Sequence, residues 1–381
     1  MEQHYWVAWA QIKGVGPSRL KKIWQYFGSM QRAWYASGQD LGQVDGLGDK
    51  LIEQILTGRS PLEPEQFYGQ HLEKNPQFWT PTDPEYPQLL LEIPTPPPIL
   101  YYQGQVKTLE NQGKIPAIAM VGTRHPSAHG KQWTGRISKV LAQAGFTIVS
   151  GMAQGVDGIA HTACLDSGGR TIAVLGTGID QIYPAHHREL YQRLTERGLI
   201  LSEYPAGTRP DRSNFPARNR IIAGLTRATL VMEAPSRSGS LITAHYAMEF
   251  NRDVYALPNS PDHQPATGCL DLIRRGAGMI LGEAALIEEL GGMPQLDEVS
   301  LQLQLPLETS APAVAPVPRA DYRQIPQELL PLWQAIAPEP TAFDLIVVQS
   351  GLRADQVSAT LLQWELEGLI AQLPGMRYRR L

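Results

Sequence analysis

Residues 117–150 read AIAMVGTRHPSAHGKQWTGRISKVLAQAGFTIVS. Two short apolar runs, AIAMV (117–121) and FTIVS (146–150), bracket a segment with helical spacing, GKQWTGRISKVLAQAG (130–145). A near-continuous apolar run marks a strand buried on both faces, and two such strands joined by a helix form a parallel pair. The unit recurs downstream in TIAVL (171–175), LILSE (199–203), TLVME (229–233) and DVYAL (253–257), each followed by helical periodicity. Residues 116–291 are therefore expected to form a Rossmann-like α/β domain, a doubly wound and mainly parallel sheet.

Upstream, residues 1–60 carry two Gly-x-Gly turns, GVGPSRLKKI (14–23) and GLGDKLIEQI (46–55), each ahead of a helical pattern. This is the look of a helix–hairpin–helix (SAM-like) domain, whose helix starts can hold a phosphate on backbone N–H groups. Lys13, Arg19, Lys21 and Lys22 surround the first turn, whereas Asp45, Asp49 and Glu53 crowd the second beside Lys50. The second copy reads as structural, and the pair as a compact helical domain rather than two DNA clamps. Residues 61–115 are rich in proline and aromatics and read as an extended lead-in packed on the sheet domain. Downstream, 292–325 reads as a linker. Residues 326–381 spell three helices, with LLPLWQAIA, AFDLIVVQSG and RADQVSATLLQWELEGLI, then a hairpin, AQLPGMRYRRL. That is winged-helix architecture with a recognition helix near 355–368. Arg377, Arg379 and Arg380 on its hairpin lean it toward duplex DNA, with a protein contact as the other reading.

The 381 residues hold 43% hydrophobic and 18% charged residues with a formal charge of −4. Any nucleic-acid binding must then come from local clusters, because the field of the whole molecule does not attract a polyanion. Two cysteines, Cys164 and Cys269, exclude a disulfide framework and suit a reducing cytosol. The first residues lack a basic segment followed by an apolar core, so no signal peptide is expected, and no apolar run is long enough to span a bilayer. A cytoplasmic protein is expected, without membrane insertion.

In an open α/β sheet the ligand sits outside the carboxyl ends of the strands. The residues there are Gly122-Thr123-Arg124, Ser150-Gly151, Gly176-Thr177-Gly178, Glu203, Glu233 and Ser238-Gly239-Ser240. Small residues let backbone N–H groups approach an anion, and Arg124 adds a fixed charge. Between the fourth and fifth runs lies RSNFPARNRIIAGL (212–225), and from 209 to 220 four arginines (209, 212, 218, 220) face one aspartate, Asp211. This is a phosphate-facing rim beside an aromatic, Phe215, just ahead of an apolar helical run. The dinucleotide fingerprint and the P-loop are both absent. Glu203 and Glu233 read as partners for Arg218 and Arg220 rather than as an acid/base pair. Asp157 and His161, four apart on one helix, read as a mutual hydrogen bond, and His161 with Cys164 is too few ligands for zinc. Ser238 and Ser240 read as caps of the next helix. No catalytic residue, metal site or cofactor is assigned.

The pieces YPQLL, PPPILYYQG, AMVGTRHPSAHG, IVSGMAQGVDGIAH, TIAVLGTGIDQIYP, LSEYPAGTRPDRSNFPARNRIIAGL and VMEAPSRSGSLITAHYA occur in this order from about residue 83 to 282. Together they resemble the DprA/Smf family, the DNA-processing proteins of natural transformation, over roughly half the chain. The resemblance implies single-stranded DNA binding by the Rossmann-like domain, a homodimer, transfer of the strand to RecA recombinase, and no catalytic activity. By motif position it implies a DNA pocket of Arg124, Arg212, Phe215 and Arg218, with Arg220 and Gly122 beside them and Ser150, Gly151 and Gly176 as close backbone contacts. Thr123 stands where the family usually has serine. Asn259 and Leu270 replace a usual glycine and asparagine near the late sheet edge, where dimer contacts lie in some members. Two rival readings use the same features: a nucleotide-binding enzyme of the Rossmann-like phosphoribohydrolase type, and a transcriptional regulator acting through the winged helix.

Overall fold

Strands form where the apolar runs are. The computed structural model describes residues 2–291, 326, 329–337, 341–352, 354–366, 369–373 and 377–380. Nine strands make one sheet: β1 (Phe78–Trp79), β2 (Leu100–Gly104), β3 (Ala117–Val121), β4 (Thr147–Ser150), β5 (Thr171–Leu175), β6 (Leu199–Ser202), β7 (Ala228–Val231), β8 (Asp253–Ala256) and β9 (Gly278–Met279). Their order is β1-β2-β6-β5-β4-β3-β7-β8-β9. From β6 to β9 every neighbouring pair is parallel, and every residue of β3 to β7 is buried. Alternation sorts their side chains onto two faces. Ile118, Met120, Ile148 and Leu230 pack with Ile137 and Leu141 of the helix Ala128–Gln143. Val121, Val149, Val174 and Leu201 pack with Ile221 and Ile222 of the helix Asn214–Gly224.

Chain direction across this sheet fixes where a ligand can sit. From β3 the chain steps to β4, β5 and β6 on one side, then crosses to β7, β8 and β9 on the other. The reversal leaves a crevice between the carboxyl ends of β3 and β7, the place where open α/β sheets bind ligands.

The lead-in differs from its expected form. Residues 61–115 contribute β1 and β2 to the sheet, with β2 antiparallel to β6 from Tyr101↔Ser202 to Gly104↔Leu199. They also form the helices Pro64–Lys74 and Gln88–Glu92. A short antiparallel strand beside the sheet edge needs no long apolar run, so its signal is tertiary pairing rather than pattern. Ahead of it, five short helices between Glu2 and Arg59 enclose their own core around Trp6, Trp9, Ile23 and Trp34. Three of the cations at the first glycine turn are engaged internally, and Lys13 is exposed. Arg19 donates to the Gly14 carbonyl at 2.7 Å, Lys21 to the Leu91 and Ile93 carbonyls at 2.8 and 2.7 Å, and Lys22 pairs with Asp45 at 2.6 Å.

The chain divides into two compact units, Met1–Leu305 and Pro306–Leu381. The second contains helices Leu330–Ala335, Phe343–Ser350 and Ala354–Leu366 and strands β10 (Thr341–Ala342), β11 (Ile370–Leu373) and β12 (Arg377–Arg380), ordered β10-β12-β11. Three helices and this small sheet, closed over Leu332, Ile346, Val357, Trp364 and Tyr378, form a winged helix. Arg380 is taken up by the fold: it donates to the Ile336 carbonyl and lies 5.1 Å over the Trp333 ring. The expected linker, 292–325, lies outside the described residues. Among the described residues no helix is long and apolar enough to cross a membrane.

Candidate nucleic-acid interface

A cleft of about 610 Å³ occupies the switch point. Its walls come from the turn after β3 (Gly122, Thr123, Arg124), the turn after β4 (Ala153), Asp157 in the first turn of the helix Val156–Asp166, and the start of the helix Ser240–Glu249. Arg212, Phe215, Arg218 and Asn219 close it from the far side. The helix carrying the last three begins at Asn214, so Phe215 and Arg218 lie in its first two turns, while Arg212 precedes it.

Two glycines set the depth. The Arg218 guanidinium lies so close over Gly151 that a Cβ there would sit 2.5 Å from it. From this position it donates to the carbonyls of Gly151, at 2.8 Å, and Val174. Burial pulls the guanidinium down to about 10, with Asp157 opposing the shift, so it stays charged at neutral pH. Burial pushes the Asp157 carboxyl up to about 6, against the pull of Arg218 and the N–H groups of Ala153 and Gly151. The cleft floor is therefore a buried cation and a buried anion. Phe215 rests on Gly176, where a Cβ would fall 2.8 Å from the ring. The Tyr183 ring stands 5.3 Å from it and the Arg124 guanidinium 5.9 Å from its centroid. Arg124 and Arg212 are exposed and, among the described residues, have no carboxylate partner within 4 Å, which leaves two rim charges for an anion.

The structure moves several expected contacts. Arg220 is not at the rim. Two residues after Arg218 on a helix means nearly the opposite face, and there Arg220 meets Glu203 through two hydrogen bonds of 2.8 and 2.6 Å and donates to the Thr95 carbonyl. The pairing expected for Glu203 is observed, but Glu233 does not take an arginine. It accepts from the Ser127 N–H at 2.9 Å and hydroxyl at 2.5 Å, while its carbonyl accepts from the Thr123 N–H at 2.7 Å. Glu233 thereby ties the turn after β3 to the end of β7. Ser150 is fully buried and donates to the Met120 carbonyl, away from the cleft. Gly151 and Gly176 act beneath Arg218 and Phe215 rather than as cleft lining; Gly122 does line it.

Asp157 does not bond His161. Its carboxylate accepts from the N–H groups of Gly151 and Ala153 at 3.2 and 3.3 Å, whereas His161 pairs with the Thr171 hydroxyl at 2.7 Å. Cys164 donates to the Arg170 carbonyl, and among the described residues no three His, Cys, Asp or Glu side chains gather as a metal holder. Gly239, not a serine, occupies the cap position of its helix, and Ser238 accepts from the Ser240 N–H. Tyr183 and Asn219 line the cleft without having been singled out. The tyrosine's only sequence signal is an aromatic before proline at the end of TIAVLGTGIDQIYP, where a ring and a turn residue look alike.

Residues 77–291 match the family model described as DNA recombination-mediator protein A, and 308–376 match the DprA winged helix domain. A protein Smf from Synechocystis is 53% identical, covering 100% of this chain and 99% of its own length. The DNA processing protein DprA of Bacillus subtilis is 40% identical over 54% of this chain and 68% of its own. The X-ray structure of DprA from Streptococcus pneumoniae superposes with a TM-score of 0.65 at 33% identity, covering 75% of this chain and 97% of that one. A Helicobacter pylori DprA structure, reported for a single-stranded DNA binding mode, gives 0.51 at 31% identity over 56% of this chain and 95% of that one.

Proposed function

Given that the chain belongs to the DNA recombination-mediator protein A (DprA/Smf) family, we propose that it binds single-stranded DNA in the switch-point cleft without strong sequence preference. The observation that carries this reading is the triad of Phe215, Tyr183 and Arg124 around one opening, with Arg212 on the rim and Arg218 below. A single strand offers unstacked bases and one phosphate track, so an aromatic platform with flanking cations binds it through stacking and charge. The Helicobacter relative, whose structure is reported for its single-stranded DNA binding mode, supports the same polymer. The family resemblance further supports a homodimer that hands the strand to a RecA recombinase in the cytoplasm, with the protein acting as a mediator rather than an enzyme. Two clefts along one strand raise effective concentration and compensate for the shallowness of each.

The nucleotide-hydrolase reading needs Glu203 or Glu233 free in the cleft. Both are tied elsewhere, to Arg220 and to Ser127. An electrophoretic shift with labelled oligothymidylate, comparing wild type with Arg124→Ala and Phe215→Ala, tests the proposal. Weakened binding by both variants is expected. Equal binding by all three proteins would remove the assignment, and a strong preference for duplex would favour the regulator.

A further inference from the structure

A second cleft, of about 700 Å³, adjoins the first. Arg124 lines both clefts. On the opposite side the chain segment 183–187 also runs between them: Tyr183 lines the first, His186 and His187 the second. Two separate stretches of chain thus join the two hollows into one groove. The floor of the second is the start of the helix Val156–Asp166, brought up close under the turn that carries Arg124. At Gly155 a Cβ would lie 2.4 Å from the Thr123 carbonyl oxygen, so only glycine admits this approach.

The chemistry of the second cleft continues that of the first. Phe215 and Tyr183, 5.3 Å apart, are followed along the wall by the exposed His186 ring. His186 packs edge-on against His187 at 4.6 Å, and His187 is itself anchored by donating from Nδ1 to the Met152 carbonyl at 3.0 Å. The His186 ring is therefore supported from behind, and histidine is among the rings on which nucleic-acid bases stack. Of the cleft's cations, Arg193 is held by Asp166 at 2.6 Å, whereas Lys131 is exposed and, among the described residues, has no carboxylate within 4 Å. Lys131 and Arg124 outweigh the single remaining carboxylate, Glu189, so the groove stays positive past the first cleft.

We propose that this second cleft is a further nucleotide subsite. A single strand leaving the Phe215 cleft passes Arg124 and places its next base on His186, with the adjoining phosphate at Lys131. This rests on the single-strand reading of the first cleft.

The test uses the full chain and fluorescence anisotropy with labelled oligothymidylates of about 4 and about 16 nucleotides, the span over which single-strand sites range. The short probe fills the first cleft alone; the long one reaches both. His186→Ala is expected to weaken the long probe by about fivefold or more, the lower end of a lost base stack, and to leave the short probe unchanged. Lys131→Ala is expected to flatten the log–log salt dependence for the long probe by about 0.7. Both residues are exposed, so their removal leaves the core intact. Wild-type binding of the long probe by both variants, or equal weakening of the two probes, overturns the subsite. A Phe215→Ala protein that binds both probes like wild type instead overturns the first cleft, and the subsite falls with it.

Discussion

Two places in this chain put cations beside a glycine turn at the start of a helix, and they end differently. At Gly14–Gly16 the cations Arg19, Lys21 and Lys22 close back onto the protein, onto carbonyls and onto Asp45. At Gly122–Arg124 the neighbouring cations Arg124 and Arg212 have no carboxylate partner among the described residues and stand exposed at the rim of a cleft. The first turn is the denser in sequence, with Lys13, Arg19, Lys21 and Lys22 close together, whereas Arg212 reaches the second only through the fold. What separates them is whether an acceptor lies within reach once the chain is folded. Within one helix both arginines are held, Arg218 by the Gly151 and Val174 carbonyls at the cleft floor and Arg220 by Glu203 on the other face.

The largest expected effect breaks the locked partner. Arg220→Ala strands a buried carboxylate at Glu203, and removing one member of a buried pair costs about 3–5 kcal/mol of stability. Urea denaturation is expected to show this as a lowered midpoint. Below that comes the free pair. Arg124→Ala combined with Arg212→Ala should weaken single-strand binding by about tenfold or more, since hydrogen bonds to charged groups contribute roughly 1.5–3 kcal/mol. The salt slope should flatten by about 1.4 for two phosphates no longer neutralised, measured by titration across ionic strength. Phe215→Ala should cost about 1–3 kcal/mol of binding with the salt slope intact, because stacking releases no counterions. Arg19→Ala with Lys22→Ala should change binding by less than about 0.5 kcal/mol. A loss as large as that of the Arg124 variant would erase the contrast between the two turns.

The smallest signal is a near-cancellation with pH. Buried Asp157, raised from 3.8 to about 6, holds a proton in the native state that the unfolded chain has released, so its contribution to stability falls as pH rises across that window. Buried His161, lowered from 6.5 to about 3 by burial and by the nearby His187 and Arg218, stays neutral while the unfolded chain protonates. Its contribution therefore falls as pH drops from 6.5 toward 3. Between about 4 and 6 the two slopes oppose. Asp157→Asn should expose the acid-side loss, and His161→Asn the opposite slope, in denaturation midpoints taken at successive pH values.

The central strands were legible because burial on both faces writes itself as an apolar run; all six expected strands appear within a residue or two at each end. β1, β2 and β9 were not, since a strand of two residues or one paired antiparallel at an edge has no such signature. At the site, Arg124, Arg212 and Phe215 could be found because they follow strand ends in sequence. The diversion of Arg220 to Glu203 and Thr95 could not, because the Thr95 carbonyl comes from a segment that looked like a passive lead-in. The role of Glu233 was misread for a related reason: its partner Ser127 is 106 residues away in the chain and is a serine rather than an arginine.

The floor of the first cleft carries a practical consequence for anyone mapping it. Surface mapping by alanine replacement works by taking atoms away, and at Gly151 and Gly176 there is nothing to take. Their contribution is an absence, and it shows only when an atom is put in: one methyl at Gly176 collides with the Phe215 ring, and one at Gly151 with the Arg218 guanidinium. A scan by subtraction would leave both positions blank, although they set where the aromatic and the buried cation can stand.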